Sequence, residues 1–276
     1  MLALNRPLIM GVVNVTPDSF SDGGHFLECK KALERARQLV DEGADILDVG
    51  GESSRPGAQP LPLNEELRRV LPVLEGCVRL GVPVSVDTYK PEVMRASASA
   101  GASMLNDIWA FRREGALKAA LEAALPASGP GLALCCMHMQ RDPATMQDDP
   151  AYADVVSEVA AFLAARVKCF ADAGVPSEQL VIDPGFGFGK TVTHNLRLLR
   201  ELRTFASLDV PLLAGLSRKS TIGAITGRER PQDRVIGSVA AAMIAAQNGA
   251  KILRVHDVAA TREALAVLAA VSQGSP

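Results

Sequence analysis

Aromatic side chains are scarce in this chain, since phenylalanine, tyrosine and tryptophan together make up 4% of its 276 residues. Hydrophobic residues nevertheless reach 48%, so the interior must be built mainly from valine, leucine, isoleucine and alanine. Such a composition suits closely packed parallel strands and helices better than an antiparallel sandwich. The length is enough to bury a large core and fits one α/β barrel or two smaller domains.

The chain also lacks an excess of charge of one sign and lacks long apolar runs. Its formal net charge is −2, and no long basic stretch occurs. Nucleic acid is therefore not expected as a partner, because binding phosphates requires clustered lysine and arginine. No apolar run reaches the roughly 18 residues of a membrane span, so a membrane partner is not expected either.

Cysteines are few, odd in number and scattered along the chain: Cys29, Cys77, Cys135, Cys136 and Cys169. The first residues show no charged segment followed by an apolar stretch and a cleavage site. Both features predict a reduced, cytoplasmic protein. Zinc binding by Cys135, Cys136 and His138 is not favoured, because tetrahedral sites use ligands that are spaced over more than one turn.

Strand-like and helix-like segments alternate along the whole chain. The predicted strands are 8–13, 45–49, 83–87, 104–107, 132–137, 180–182, 211–215 and 251–255. The predicted helices are 29–42, 64–80, 91–100, 115–125, 152–173, 195–204, 233–248 and 259–270. Eight such units without a linker predict a single (β/α)8 TIM barrel over residues 1–276, with no second enzyme fused to it. An open doubly wound sheet is the alternative, because periodicity alone does not show closure.

Polar residues concentrate at or just after the carboxyl ends of the predicted strands. They are Asn14, 48–55, Asp87, Asn106, His138, Asp183, 217–219 and 254–257. Barrel enzymes hold their catalytic groups at this end of the barrel. The distribution therefore favours the barrel and predicts an active site at its C-terminal face.

Three common motifs are excluded by single positions. A phosphate-binding loop would need glycine at Pro184, and a dinucleotide fingerprint would need glycine at Lys190. A nucleophile elbow would need glycine at Lys219. The sequence therefore predicts neither a nucleotide-binding loop nor a serine hydrolase.

The remaining polar groups suit a flat heterocycle joined to an anion. Asp183 follows a strand directly, and its carboxylate can accept two parallel N–H bonds from an amino-pyrimidine edge. Asn106, Asp87 and Lys219 offer further partners for such a ring. Each of them alone is as well explained by a helix cap or a satisfied polar group, but four on successive strand ends favour a ligand site.

Anion binding is predicted from three residues with suitable side chains. Arg55 and Arg254 can each bind two phosphate oxygens, and His256 can donate a further hydrogen bond. The side-chain carbonyl of Asn14 can join water and phosphate oxygens around Mg²⁺.

Motifs along the whole chain resemble those of the dihydropteroate synthase family of folate biosynthesis. They are 14–24 (NVTPDSFSDGG), 48–57 (DVGGESSRPG), 85–87 (SVD), 106–107 (ND), 137–140 (MHMQ), 183–190 (DPGFGFGK), 215–220 (GLSRKS) and 254–256 (RVH). The long loop motifs are specific, whereas the two shortest would show little alone. The resemblance implies condensation of 6-hydroxymethyl-7,8-dihydropterin pyrophosphate with p-aminobenzoate, a soluble homodimer built through late barrel helices, and a target for sulfonamides.

The resemblance also implies a role for each matching residue. The pterin residues would be Asp87, Asn106, Met137, Asp183, Phe188, Lys219 and Arg254. Those for pyrophosphate would be Asn14, Arg55, Arg254 and His256, with Asn14 also on Mg²⁺. Those for aminobenzoate would be Phe20, Ser54, Pro56, Lys219 and Ser220. The catalytic groups would be Asp22, Asp87, Lys219 and Arg254, with the two carboxylates stabilising a pterin cation and Asp22 lying on a mobile first loop.

Two positions depart from the family pattern. Ser54 stands where threonine is usual, which keeps the hydroxyl group and removes a methyl group. Arg141 stands where glycine is usual and changes the shape and charge of its loop.

Two other functions stay open at this point. A pterin-binding methyltransferase would use the same ring-binding residues but would not need the pyrophosphate loops. A catalytically silent paralogue would be expected to lack some of the polar residues, and none is missing.

Overall fold

The structure of the chain is a computed structural model that describes residues 4–15, 22–53 and 57–273. Its strands are β1 (Leu8–Asn14), β2 (Ile46–Gly50), β3 (Val84–Asp87), β4 (Met104–Asp107), β5 (Ala133–Met137), β6 (Leu180–Asp183), β7 (Leu213–Ala214) and β8 (Ile252–Val255). Its α-helices are α1 (Asp22–Asp41), α2 (Leu63–Val78), α3 (Pro91–Ser99), α4 (Ala116–Ala124), α5 (Val155–Asp172), α6 (Val192–Arg200), α7 (Ser220–Thr226), α8 (Val235–Gln247) and α9 (Val258–Gln273).

All eight strands are parallel and lie in one sheet in the order β6-β5-β4-β3-β2-β1-β8-β7. A parallel bridge between Ile182 and Leu212 joins the two ends of this sheet. The prediction of a barrel is therefore confirmed, and the open doubly wound sheet is wrong. The closing seam between β6 and β7 is short, because β7 has only two residues.

Alternation along the strands separates two apolar layers. The inward layer contains Leu8, Met10, Ile46, Met104, Cys135, Val181, Leu213 and Ile252, which pack in one cluster inside the barrel. The interleaved residues, such as Val13, Leu47 and Val86, pack outward against the helices. On α2 the buried residues Val70, Val73, Leu74 and Cys77 follow the spacing of one helical face.

The same alternation turns a set of site residues toward the barrel axis. Two positions after an inward apolar residue, five strands carry Asp48, Asn106, Met137, Asp183 and Arg254. On β3, Val84 and Val86 pack outward, so Ser85 and Asp87 take the inward positions. A mostly polar layer therefore lies above the apolar floor at the C-terminal ends of the strands.

Several predicted element boundaries were wrong. The sequence prediction missed α7 (Ser220–Thr226), whose seven residues are too few for a clear periodic pattern. Helix α1 begins at Asp22 rather than at Cys29, so Asp22 and the following glycine pair belong to a helix, not to a loop. Glycine weakens helices only by about 1 kcal/mol, and tertiary packing often overrides that preference.

Both boundaries of the predicted helix 195–204 also differ. Helix α6 begins at Val192 and ends at Arg200, and a 3-10 helix over Leu202–Leu208 follows it. None of the helices in the described part of the chain combines the length and apolar character needed to cross a bilayer.

Candidate active site

Arg254 joins three strands of the barrel at the level of the polar layer. From β8, its Nε donates to Asp48 Oδ2 on β2 at 2.6 Å, and its Nη2 donates to Asp87 Oδ2 on β3 at 2.9 Å. Burial alone would lower the pKa of this guanidinium, but the two carboxylates more than offset that effect and raise it. The arginine is therefore a fixed cation between two acidic strands.

Asp87 is the more accessible of these two carboxylates. Its side chain is 14% exposed, whereas that of Asp48 is fully buried. Burial raises the pKa of Asp87 to about 7, and the charge of Arg254 opposes this shift. A carboxylate with such a pKa changes its charge near neutral pH, which is typical of catalytic groups.

Asp183, at the end of β6, and Lys219, after β7, are two further charged groups that influence each other electrostatically. Asp183 Oδ1 accepts a hydrogen bond of 2.7 Å from the backbone N–H of Gly185. Burial raises the pKa of Asp183, although Lys219 opposes the shift. Burial also lowers the pKa of Lys219 to about 8, and here Asp183 opposes the change.

Lys219 also contacts the loop that follows β6. Its Nζ donates to the carbonyl oxygen of Phe186 and lies 4.7 Å from the centre of the Phe188 ring. The ring of Phe188 packs with Met137 in one apolar cluster beside the polar layer. The predicted pterin residues thus include an apolar surface next to two carboxylates and a cation.

All seven predicted pterin residues lie at the C-terminal ends of strands or in the loops that follow them. They are Asp87, Asn106, Met137, Asp183, Phe188, Lys219 and Arg254. Asn106 and Met137 are buried on β4 and β5, between the strands that carry Asp87 and Asp183. The arrangement offers hydrogen-bond acceptors, donors and an apolar face to a flat ring.

A separate polar cavity of about 510 Å³ lies on the β1 and β8 side of the barrel. It contains Asn14, which is exposed at the end of β1, and His256, which contacts Ser217 through Nδ1 at 3.0 Å. Arg35 donates to the carbonyl oxygen of His256 at 2.6 Å, and Arg218 is paired with Asp257. Two arginines, an imidazole and an amide line this cavity beside the carboxylates of Glu42 and Asp257, and they offer hydrogen-bond donors to a phosphate group.

Metal binding by a cage of protein side chains finds little support within the described ranges. There, no three histidine, cysteine, aspartate or glutamate side chains cluster as potential ligands. Asn14 supplies a single hard oxygen at an open strand end. This fits Mg²⁺, which usually keeps several waters and binds through substrate phosphates with few protein ligands.

A third group of charges surrounds Lys90, which follows β3. Its Nζ donates to the carboxylates of Glu52 and Glu66. Tyr89 donates to Glu52 Oε1 at 2.6 Å, and Thr88 donates to Glu66 Oε1 at 2.6 Å. These contacts tie the end of β3 to both ends of the β2–α2 connection and border a cavity of about 310 Å³ that reaches Asp87.

Some predicted residues lie outside the described part of the chain. They are Phe20, Ser54, Arg55 and Pro56, and the side chain of Asp22. Ser220 is described as the exposed first residue of α7. The predicted aminobenzoate pocket is therefore described only through Lys219 and Ser220.

Sequence reasoning gave no role to Asp48, Glu52, Lys90, Arg218 or Lys190. For Asp48 a signal existed, because it stands two residues after the inward Ile46 on the same strand face. For Glu52 and Lys90 the partner is distant in sequence, and nothing local predicts their pairing.

Comparisons with known proteins agree with this geometry. A family described as pterin binding enzyme matches residues 10–256. The dihydropteroate synthase of Escherichia coli is 48% identical over 270 residues, which cover 98% of this chain and 93% of that protein.

Solved structures give the same result. The Xanthomonas albilineans dihydropteroate synthase with 4-aminobenzoic acid is 53% identical, with a TM-score of 0.89 over 100% of this chain and 96% of that one. The Yersinia pestis dihydropteroate synthase in a complex with a sulfonamide drug is 45% identical, with a TM-score of 0.91 over 99% and 96%.

Proposed function

The chain belongs to the dihydropteroate synthases of the pterin-binding enzyme family, and from this we propose which of its residues carry each part of the reaction. The enzyme is a transferase that condenses (7,8-dihydropterin-6-yl)methyl diphosphate with 4-aminobenzoate to give 7,8-dihydropteroate and pyrophosphate. The observation that carries the assignment of roles is the polar layer of inward residues on neighbouring strands, with Arg254 bridging Asp48 and Asp87.

The pterin ring binds in this layer. The carboxylate of Asp183 accepts the two N–H groups of the amino-pyrimidine edge, and Asn106 and Lys219 bind the remaining polar atoms. Met137 and Phe188, which pack in one cluster, contact the apolar faces of the ring. The alternative of a pterin-binding methyltransferase is not favoured, because the relatives that match nearly the whole chain are synthases.

The reaction begins when the bond between the pterin methylene carbon and the diphosphate oxygen breaks. The bonding electron pair leaves with pyrophosphate, so negative charge grows on that group while positive charge spreads over the dihydropterin. Asn14, Arg55, Arg254 and His256 bind the leaving group and stabilise its charge. Mg²⁺, when bound by the oxygen of Asn14 together with pyrophosphate oxygens and water, would supply further charge neutralisation.

Carboxylates stabilise the cation that remains. Asp87 lies in the polar layer, and we assign the same role to Asp22 at the start of α1. Because burial raises the pKa of Asp87 to about 7, activity should rise with pH as this group ionises.

The amine of aminobenzoate then attacks the methylene carbon and loses a proton as the new C–N bond forms. Phe20, Ser54, Pro56, Lys219 and Ser220 form the pocket that orients this substrate. Because a sulfonamide drug binds the Yersinia pestis relative, we expect such drugs to compete with aminobenzoate here.

We also propose a homodimer and a cytoplasmic location. Support for the dimer comes from exposed apolar side chains on neighbouring late helices: Ile225 on α7, Ile236 and Ile244 on α8, and Val267 and Val271 on α9. Such a surface is typical of a contact between proteins. Replacing Ile236, which is 86% exposed, by lysine should convert the dimer to a monomer in sedimentation velocity measurements.

One assay tests the activity and the role of Asp87. Purified protein should release pyrophosphate only when the pterin diphosphate, aminobenzoate and Mg²⁺ are all present. Binding of the substrates without turnover would favour the catalytically silent paralogue, and turnover without added metal would contradict the role of Mg²⁺.

The variant Asp87→Asn should lose activity by about a hundredfold, an effect expected for loss of one electrostatic contact in a transition state. Unchanged product formation would remove Asp87 from the mechanism.

A further inference from the structure

Lys190 is buried directly behind the pterin-binding loop and has no role in the mechanism derived so far. Only 3% of the residue is exposed. Its Nζ donates to the carbonyl oxygens of Gly185 and Phe188 at 3.0 Å each. A third contact of 3.0 Å joins Nζ to Nδ1 of His138, on the connection after β5.

The imidazole of His138 accepts this third hydrogen bond. Burial and the nearby charge of Lys190 lower the pKa of His138 to about 2, so the ring is neutral. A neutral ring with its proton on Nε2 presents a lone pair at Nδ1 to the ammonium group. The ammonium group therefore has three acceptors at 3.0 Å from two neighbouring loops, and the carbonyl oxygen of His138 is a fourth at 3.4 Å.

The loop that Lys190 holds makes the contacts that shape the pterin site. The N–H of Gly185 binds Asp183, the carbonyl oxygen of Phe186 binds Lys219, and the ring of Phe188 faces Lys219. All three contacts arise within the segment between Asp183 and Lys190. A shift of this segment would move the carboxylate, the cation and the apolar face together.

The loop cannot relax toward β5 without a steric clash. A side chain at Gly185 would come within 1.9 Å of the carbonyl oxygen of His138, so the two loops already pack backbone against backbone. Gly185 and Gly187 also have positive φ angles of 71° and 80°, which favour glycine. Lys190 thus fixes a tightly packed turn through charge-assisted hydrogen bonds.

We propose that Lys190 is a positioning residue for pterin recognition, acting through the carbonyl groups of Gly185 and Phe188 to hold Asp183, Lys219 and Phe188 in the geometry that binds the ring. This inference rests on the proposed function of the site. It assigns a role mainly in pterin binding, with a smaller effect on aminobenzoate through Lys219, which the loop also contacts.

The first test compares Lys190→Met with the unaltered enzyme. Methionine fills the same space but donates no hydrogen bonds. The dissociation constant for the dihydropterin substrate should rise by roughly tenfold, the lower end of the effects seen when groups that orient binding residues are removed. The KM for aminobenzoate should change less than this dissociation constant, because Lys219 is the one described residue of that pocket that the loop contacts.

The pH dependence of pterin binding distinguishes a loss of positioning and charge from a general loss of structure. The charged groups that face Asp183 are Lys219, Lys190 and Arg254, and those that face Lys190 are Asp183 and Lys219. Without the charge of Lys190, Asp183 should take up its proton at a higher pH. The acidic limb of pterin binding should therefore move to higher pH in Lys190→Met.

Two further variants complete the experiment. His138→Phe removes the imidazole acceptor, leaves the backbone carbonyl of residue 138 in place and keeps a ring against Phe162. It should weaken pterin binding by about fivefold, the equivalent of about 1 kcal/mol for one hydrogen bond. Lys168→Met removes an exposed lysine that pairs with Asp172 and should change neither substrate constant. If Lys190→Met does not fold, His138→Phe decides the question.

Each outcome has a defined meaning. Weaker pterin binding with a smaller change in the aminobenzoate KM supports the assignment. Pterin binding equal to that of the unaltered enzyme in both variants overturns it, and so does an equal loss for both substrates. If the unaltered protein itself fails to bind dihydropterin, the proposed function fails instead.

Discussion

Lys90 is half-buried and Lys190 is buried, both beside loops of the active site, but different kinds of partner compensate their charges. Lys90 contacts two carboxylates, those of Glu52 and Glu66. Lys190 contacts carbonyl oxygens and a neutral imidazole, and within the described ranges no carboxylate forms a salt bridge with it. Burial alone would lower the pKa of Lys90, but its two partners raise it, whereas burial lowers the pKa of Lys190 to about 7.

The difference reflects what each region must do. On the β2 and β3 side, the ion pairs join distant chain segments, and two carboxylates surround the single positive charge of Lys90. On the β5 and β6 side, dipoles hold the cation, so its field still acts on the neighbouring Asp183. A carboxylate that must stay ionised to accept two N–H groups benefits from such a neighbour. The ion pairs of Lys90 thus stabilise the protein framework, whereas the neutral polar groups around Lys190 let its charge support the ligand site.

We expect the largest effect on stability and turnover from Arg254→Met. Arg254 extends the comparison of the two lysines to a cation inside the barrel. Arg254 is compensated by two carboxylates, as Lys90 is, so its loss leaves Asp48 and Asp87 buried beside each other without a cation. The free energy of unfolding should fall by about 4 kcal/mol, and turnover should be lost. Urea denaturation and pyrophosphate release measure the two effects. A fully stable variant would show that these pairs matter for chemistry alone.

Lys90→Met should be the next most damaging change. It leaves the buried carboxylate of Glu66 and the partly exposed carboxylate of Glu52 without their shared cation, and should cost about 3 kcal/mol of unfolding free energy at pH 7. Lys190→Met instead removes a desolvated charge that forms no salt bridge with a carboxylate in the described ranges. It should therefore lower the unfolding free energy by less than Lys90→Met does. Parallel urea denaturation of both variants measures the difference, and equal losses would break the comparison.

The pH dependence of stability should distinguish the two lysines further. The pKa of Lys190 lies below its usual value in the folded protein, so between about pH 7 and pH 10 the unfolded chain holds more protons. The unfolding free energy of the unaltered protein therefore gains at most about 1.4 kcal/mol per pH unit from this group, and Lys190→Met lacks that gain. The cost of Lys190→Met should grow from pH 7 to pH 9.

Lys90 should give the opposite result in the same series. Its pKa is raised in the folded protein, so its contribution to stability is complete below the usual lysine pKa and declines only above it. The cost of Lys90→Met should stay constant from pH 7 to pH 9. If the cost in unfolding free energy changed with pH equally for the two variants, the two lysines would not differ in how their charges are compensated.

The smallest expected effect lies in the β2–α2 connection that Lys90 and Glu52 help to hold. Ser54→Thr restores one methyl group, whose burial contributes about 0.8 kcal/mol. The KM for aminobenzoate should fall by roughly fourfold, while pterin binding stays unchanged. A change in pterin binding instead would mean that the two loops do not act separately.

Much of this architecture could be predicted from the sequence because its signals are local. Apolar strands with polar ends, such as the segment from Val181 to Asp183, indicate both the barrel and the face that carries the site. The short helix α7 and the early start of α1 escaped prediction, since both depend on packing rather than on a periodic pattern.

The charge network was less predictable for a different reason. The contact between Arg254 and Asp48 joins residues 206 positions apart, and only the closed barrel brings them together. The low pKa of Lys190 likewise depends on burial and on the nearby charge of Lys219, which only the folded chain brings together. The individual roles in pterin, pyrophosphate and aminobenzoate binding, and the use of Mg²⁺, stay predictions.

The short seam between β6 and β7 has a consequence for the dynamics of the barrel. A hydrogen bond of 3.0 Å from the backbone N–H of Ile182 to the carbonyl oxygen of Pro211 closes it, whereas the other neighbouring strands share longer hydrogen-bonded ladders. Asp183 follows one side of this seam, and Lys219 follows the other. A ligand that binds both Asp183 and Lys219 would connect β6 and β7 across the shortest strand pairing of the barrel. Amide hydrogen exchange at Ile182 should therefore slow when pterin binds.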